Sequence, residues 1–192
     1  QNFLLCGAFG LAAAWAQSAA GEMASVSPPY LPDPSRRVLL ISGSANSAAS
    51  TQIRQLAHHP EVGIWPVHAA ISNAEQDGLL REISRAGKRV SVLCPSASQT
   101  LREPEWLQFS RLVSRLGAKL LPHLNPDIIL MIGGETASQV CEELGVQAVD
   151  LLGEAAPGIP YGQLTGGSAD GLRVITKSGG FGEVGSLVRI LF

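Results

Sequence analysis

Three short apolar runs in this chain each break off into glycines and small hydroxyl residues, and that recurrence constrains the fold more than any other feature. Arg37-Val38-Leu39-Leu40-Ile41 runs into Ser42-Gly43-Ser44-Ala45-Asn46-Ser47, and Asp127-Ile128-Ile129-Leu130-Met131-Ile132 runs into Gly133-Gly134-Glu135-Thr136. The third, Leu172 to Thr176, opens into Lys177-Ser178-Gly179-Gly180-Phe181-Gly182. A short continuous apolar run reads as a strand buried on both faces, and each break reads as a tight loop leading into a helix. Glycine permits positive φ and lets a ligand come close to the backbone, and the free N–H groups of a helix start attract anions. Three such loops point to a phosphate site.

Between the loops, strands and helices alternate. Ala48 to His58 reads as a helix, Val62 to Val67 as a strand that Pro66 confines to a sheet edge or end, and Glu75 to Ala86 as a helix with Leu79, Leu80 and Ile83 on one face. Arg89 to Leu93 is a strand. Trp106, Leu107, Phe109, Leu112, Val113, Leu116, Leu120 and Leu121 recur at the helical period before Pro122, and that stripe reads as core. Thr136 is placed to cap a helix that Gly145 stops. Val146 to Leu152 and Leu172 to Thr176 are strands joined by a long polar, glycine-rich connection from Ala155 to Gly162 and beyond. The order predicts an α/β fold: a mostly parallel sheet with helices on both faces and the ligand loops at the carboxyl ends of its strands.

The 192 residues suit one substantial domain. Residues 1–24 read as a remnant or linking segment with a buried helix, 25–36 as a proline-rich connector and 37–192 as the main domain. The apolar start, Phe3 to Ala16, has no basic lead-in and is interrupted by glycine, so it reads as part of a longer protein and not as a leader or a membrane span. Charged residues are 16% of the chain and the net charge is −2, which gives no basic stripe for DNA or RNA. Cys6, Cys94 and Cys141 lie far apart, and His58, His59, His68 and His123 lack metal-ligand spacing, so no disulfide framework and no metal cluster are expected. A reducing cytoplasm fits best.

The loops match neither the dinucleotide fingerprint nor the G-x-x-x-x-G-K-[ST] phosphate loop. Their combination is more specific: Ser42-Gly43-Ser44-x-x-Ser47 with Gln52-Ile53 downstream, then Gly133-Gly134-Glu135-Thr136-Ala137, then Ala156-Pro157-Gly158-Ile159-Pro160, then Thr176 to Gly182. In this order and spacing the chain resembles the four-carbon acid sugar kinase family, over its carboxyl-terminal, ATP-binding domain. The resemblance implies that a serine of Ser42-Gly43-Ser44, the Gly133 to Thr136 loop and Gly180 line a nucleotide. It places a sugar-acid substrate on an amino-terminal domain outside this chain.

With ATP as the implied ligand, roles follow. Backbone N–H groups of Gly133, Gly134, Gly179 and Gly180 are placed to hold phosphate oxygens, and the Ser44 and Thr136 hydroxyls to add directional bonds. Lys177 supplies positive charge near the β- and γ-phosphates. Mg²⁺ would be held mainly by ATP, with Glu135 as a direct or water-mediated ligand. Phe181 reads as a core anchor for its loop. Two alternatives stay open: a nucleotide-binding or assembly module without chemistry, suggested by departures from the family pattern at Ala8, Phe9 and Ile132, and a phosphosugar-binding enzyme. Neither nucleic acid nor membrane is an expected partner, and self-assembly is left open.

Overall fold

The computed structural model describes residues 14–16, 18, 30–97, 99 and 105–192. Of the opening segment expected to hold a buried helix, only 14–16 and 18 fall among the described residues; they are helical, and Trp15 is exposed.

The chain alternates as the apolar runs require: β1 (Val38–Ser42), α1 (Ser47–Leu56), β2 (Val62–Val67), α2 (Asn73–Ala86), β3 (Val90–Pro95), α3 (Glu105–Leu124), β4 (Ile128–Ile132) and α4 (Gly134–Leu144). Then come β5 (Ala148–Ala156), β6 (Ile159–Thr165), β7 (Arg173–Lys177) and α5 (Ser186–Leu191). One seven-stranded sheet results, in the order β2-β3-β1-β4-β7-β6-β5. The first five strands are mutually parallel, while β6 runs antiparallel to both β7 and β5. The central strands β1 and β4 are buried at every residue, which explains their unbroken apolar sequence.

Two cores result from the alternation of side chains along the strands. On one face Leu39, Ile41, Ile129 and Met131 pack against α2, α3 and α4, through Ile83, Phe109, Val113, Leu116 and Val140. On the other Leu40, Val92, Leu130 and Ile132 pack against α1 and α5, through Ala49, Ile53, Leu56, Leu187 and Ile190. Local signals set the helix ends. Asn46 accepts from the Ala48 N–H at the start of α1, Ser72 and Glu75 form a reciprocal capping box on α2, and Gly87 and Gly145 end their helices in the left-handed conformation.

Several expectations need correction. The helix α3 does not stop before Pro122 but runs on to Leu124: the cost of proline there, a lost N–H bond and a crowded preceding turn, is offset by burial of Leu120, Leu121 and Leu124 in the core. Asn125, at φ 43, closes the helix by donating its N–H to the Leu121 carbonyl 2.9 Å away. The connection read as a long polar loop is a hairpin: β5 continues to Ala156, Pro157 and Gly158 make a turn with Gly158 at φ 73, and β6 returns with Ile159 and Leu164 buried. Thr136 does not cap α4, which starts at Gly134 with Gly133 as its N-cap.

The connector is tied to the domain where it is described. Tyr30 donates its hydroxyl to the Ile190 carbonyl at 3.2 Å and meets the Tyr161 ring edge-on at 5.2 Å. Pro66 lies on the edge strand β2, where no ladder hydrogen bond is asked of it. Among the described residues no helix is long and apolar enough to cross a membrane.

The close seating of α3 on β1 depends on Gly117, where an added Cβ would overlap the Ile41 side chain. Gly78 lies inside α2 with open space around it. Gly117→Ala is therefore expected to lose about 1–3 kcal/mol by overpacking, while Gly78→Ala gains about 0.5–1 kcal/mol from helix propensity. Urea denaturation of the two variants measures the contrast, and equal shifts would contradict it.

Candidate functional site

The strands β1, β4 and β7 are neighbours, and their register aligns their ends. Ser42 pairs with Ile132, and Ile132 pairs with Lys177, so the three loops leave the sheet from a single rung. The Gly133 N–H extends the ladder by one step, donating to the Lys177 carbonyl at 2.8 Å. That amide is already used by the sheet, which corrects its expected role as a phosphate donor. Gly133 then turns at φ 108, a conformation that L side chains rarely adopt. No side chain caps the helix α4 that follows, and a Cβ on Gly134 would meet nothing within 4 Å. The N–H groups of Gly134 and Glu135, at the start of α4, lack intrahelical partners.

The loops are packed on one another, and here the structure redistributes the expected roles. Thr136 is 1% exposed, and its Oγ1 accepts from the Gly43 N–H at 3.1 Å and lies 3.2 Å from Ser110 Oγ. Its hydroxyl points inward and joins the first loop to the second; Ser114 Oγ adds a 3.4 Å bond to the Thr136 carbonyl. Gly43 is required here, since a Cβ would lie 2.5 Å from Thr136 Oγ1 and 2.9 Å from Ser110 Oγ. Gly179 of the third loop packs onto Ser44 and Asn46 of the first, and a Cβ on it would overlap Ser44. Gly180 faces Asn46 across the same contact. Gly179 and Gly180 are the two central residues of a turn closed by the Phe181 N–H on the Ser178 carbonyl at 3.2 Å.

Gln52, on α1, is the residue whose role the sequence did not show. It is 1% exposed, and its Nε2 lies 3.0 Å from each of the carbonyl oxygens of Phe181, Gly182 and Glu183. The third loop is thereby strapped to α1. Phe181 itself is 41% exposed, so Gln52, and not a phenyl anchor, holds that loop. Ser110 and Ser114 were likewise hidden within the apolar stripe of α3; their spacing of one helical turn was the available signal.

Ser42 is fully buried and its Oγ has no partner, whereas Ser44 is half-buried and accepts from the Asn46 N–H. Lys177 is 2% exposed and ends β7 level with Ser42, with its Nζ donating to the Ser178 carbonyl at 2.9 Å. Burial pushes its pKa down to about 8. Glu135, in the first turn of α4, accepts from the Gln139 amide. No three His, Cys, Asp or Glu side chains converge into a metal cluster among the described residues.

Two cavities flank this framework. One, of about 540 Å³, runs from Ser42 and Ser44 along α1 to the carboxyl ends of β2 and β3. The other, of about 760 Å³, lies at the opposite end of the sheet, beside Asp127, Asp170 and Arg173. It is a strand length away from the glycine loops and takes no part in their chemistry.

The family described as a nucleotide-binding C-terminal domain matches residues 39–187 of this chain. The chain belongs to that family. As a nucleotide-binding C-terminal domain it carries the part of the four-carbon acid sugar kinases that its loops resemble. It is 40% identical over 80 residues to a D-threonate kinase of Bordetella bronchiseptica, covering 42% of this chain and 20% of that protein. With the D-threonate kinase of Salmonella typhimurium it shares 28% identity over 180 residues, covering 81% of this chain and 42% of the relative. The chain thus spans less than half the length of these relatives. A crystal structure of a domain of unknown function from Bordetella bronchiseptica, a domain-swapped dimer with bound citrate, superposes with a TM-score of 0.69 at 29% identity, over 80% of this chain and 40% of that one.

Two variants separate the roles within this nucleotide-binding domain. Gln52→Ala removes the strap and should raise amide hydrogen exchange in residues 179–183, at a stability cost of about 1–3 kcal/mol for the orphaned carbonyls; unchanged exchange would show that the loop is held otherwise. Lys177 titrates near 8 when folded, against its ordinary 10.5. Below pH 8 both states are protonated and the burial penalty is felt in full; between pH 8 and 10.5 the unfolded chain binds more protons, so stability rises with pH. Lys177→Met should be the more stable protein at pH 7 and lack that part of the rise in urea unfolding.

Proposed function

We propose that this chain is the ATP-binding domain of a kinase that transfers the γ-phosphoryl group to a hydroxyl of a four-carbon sugar acid of the threonate or erythronate type. The observation that carries the reading is the alignment of the three glycine loops on neighbouring strands around the buried Lys177. The first-turn N–H groups of α4 at Gly134 and Glu135, the turn amides of Gly179 and Gly180, and the Ser44 hydroxyl supply donors for phosphate oxygens. A buried cation with no carboxylate paired to it among the described residues gains most from an anion beside it, because the low local dielectric strengthens the attraction. Glu135 would be one oxygen donor for Mg²⁺ carried in with ATP, and the ion would supply charge that offsets the phosphates.

In the transfer, the substrate hydroxyl oxygen bonds to the γ-phosphorus as the bond to the bridging oxygen of ADP breaks, and the hydroxyl proton passes to a base. That base and the sugar-acid pocket belong, in this reading, to the part of the relatives that this chain does not span. The free thiols of Cys94 and Cys141 agree with a reducing, cytoplasmic setting. A homo-oligomer accords with the domain-swapped relative.

Isothermal titration of the chain with ATP, ADP, AMP and a sugar phosphate, with and without Mg²⁺, tests the proposal. Saturable ATP and ADP binding is expected, with Gly179→Val weakening it at least tenfold by driving the first and third loops apart. Affinity for ATP should also fall as the pH rises through 8, where Lys177 loses its proton. A preference for sugar phosphate over ATP would favour a phosphosugar enzyme instead, and the absence of any nucleotide binding would sink the proposal.

A further inference from the structure

We propose that Arg89 is a positioning residue for the third glycine loop: it grips the far end of α5, and through that helix sets where the turn amides of Gly179 and Gly180 stand. This inference rests on the nucleotide reading and adds to it a group that acts from the opposite end of the sheet.

The third loop and α5 form one packed unit. Gly182, at φ 81, lies against Ser186, and a Cβ on it would come 2.8 Å from Ser186 Oγ. The Ser186 N–H donates to the Glu183 carbonyl at 3.0 Å, and Arg189 pairs with the Glu183 carboxylate at 2.9 Å. The Gln52 strap ties the carbonyls of residues 181–183 to α1, which itself packs on α5. Loop and helices therefore share one arrangement, and a shift of α5 is a shift of the loop.

Six residues are too few for a helix to stand by itself, so the place of α5 is set from outside. Leu187, Ile190 and Leu191 bury its apolar side in the core of that sheet face. Apolar contact is non-directional, and it fixes the depth of a helix better than its position along its own axis. Directional bonds to the last turn fix the axial position, and the last carbonyls of a helix are open to them because they lack intrahelical partners.

Arg89 supplies such a bond. It stands immediately before β3, at the sheet end away from the loops, with its side chain 11% exposed. Its Nε donates to Glu61 Oε2 at 2.9 Å, which orients the guanidinium. One Nη donates to the Leu191 carbonyl at 3.3 Å and the other to the Arg36 carbonyl at 3.2 Å. The Phe192 ring stacks on His59 at 4.1 Å and 16°, and the Arg89 Cζ lies 4.3 Å from its centre. The Tyr30 hydroxyl takes the neighbouring Ile190 carbonyl at 3.2 Å. A carboxylate, two carbonyls and a ring face are served at once by one planar fork, which a lysine ammonium on its flexible stem cannot match. Since a six-residue helix is about 9 Å long, the grip is one short rigid element away from the loop.

The test measures amide hydrogen exchange and ATP affinity in the parent chain, in Arg89→Lys, which keeps the charge and loses the fork, and in Phe192→Ala, which removes the ring beside it. The second variant serves alone if the first does not fold. Expected are faster exchange in residues 179–187 and weaker ATP binding, each by about three- to thirtyfold. Ile83→Val, a core change on the other sheet face, controls for lost stability: it should speed exchange in β4 and leave the loop and ATP affinity as in the parent. Loop exchange unchanged in the variants, or ATP affinity within twofold of the parent, would overturn this inference alone. A parent chain that does not bind ATP would overturn the nucleotide reading and this inference with it.

Discussion

The parallel pairing of β1, β4 and β7 is the constraint on which the rest depends. Once Ser42, Ile132 and Lys177 stand side by side, the three loops have no choice but to meet, because each strand ends at the same level. The pairing in turn depends on burial. Five-residue strands hold few hydrogen bonds each, and what keeps β1 and β4 in place is that every residue of both is covered on either face. The apolar runs therefore fix the register, and the register assembles the site.

What the meeting loops do to one another is as important as what they offer a ligand. Thr136, Ser114 and Gln52 are polar groups spent on backbone, with Ser110 bonded to the Thr136 hydroxyl, and together they remove freedom from the glycine-rich segments. A loop with several glycines loses much conformational entropy when it is ordered. Ordering it beforehand, through a buried amide set within hydrogen-bond reach of three successive carbonyls, leaves less of that cost to be met at the moment of binding. Lys177 adds the opposite kind of tension. Its charge is held where water is scarce, and an anion relieves that cost.

Much of this architecture was legible in the sequence, for a physical reason: strands buried on both faces have no polar positions, so β1, β4 and the loops that end them stand out as composition alone. Pro66 marked its strand as an edge through its missing donor. The hairpin was missed because Ala156-Pro157-Gly158-Ile159 carries turn chemistry, and a tight turn between strands and the start of a long loop look alike locally. The inward hydroxyl of Thr136 and the spent amide of Gly133 could not be read, since both depend on which neighbour packs against them: Gly43 is 93 residues from Thr136 in the chain. The strap by Gln52 is likewise a matter of where α1 lands.

The two edges of the sheet are not equivalent. At one end β2 carries Pro66, which has no N–H to offer a newcomer, and two strands of hairpin separate it in kind from the other end. There β5 runs for nine residues with Val149, Leu151 and Leu152 exposed, and its outer backbone groups are unmatched by any described strand. Such an edge is a template for one more strand, with apolar side chains to reward it, and only Asp150 and Glu154 among its side chains to discourage the wrong one. Growth of the sheet is thus polar, blocked at one margin and open at the other. A domain that is to remain a unit among many copies of itself has to manage that margin.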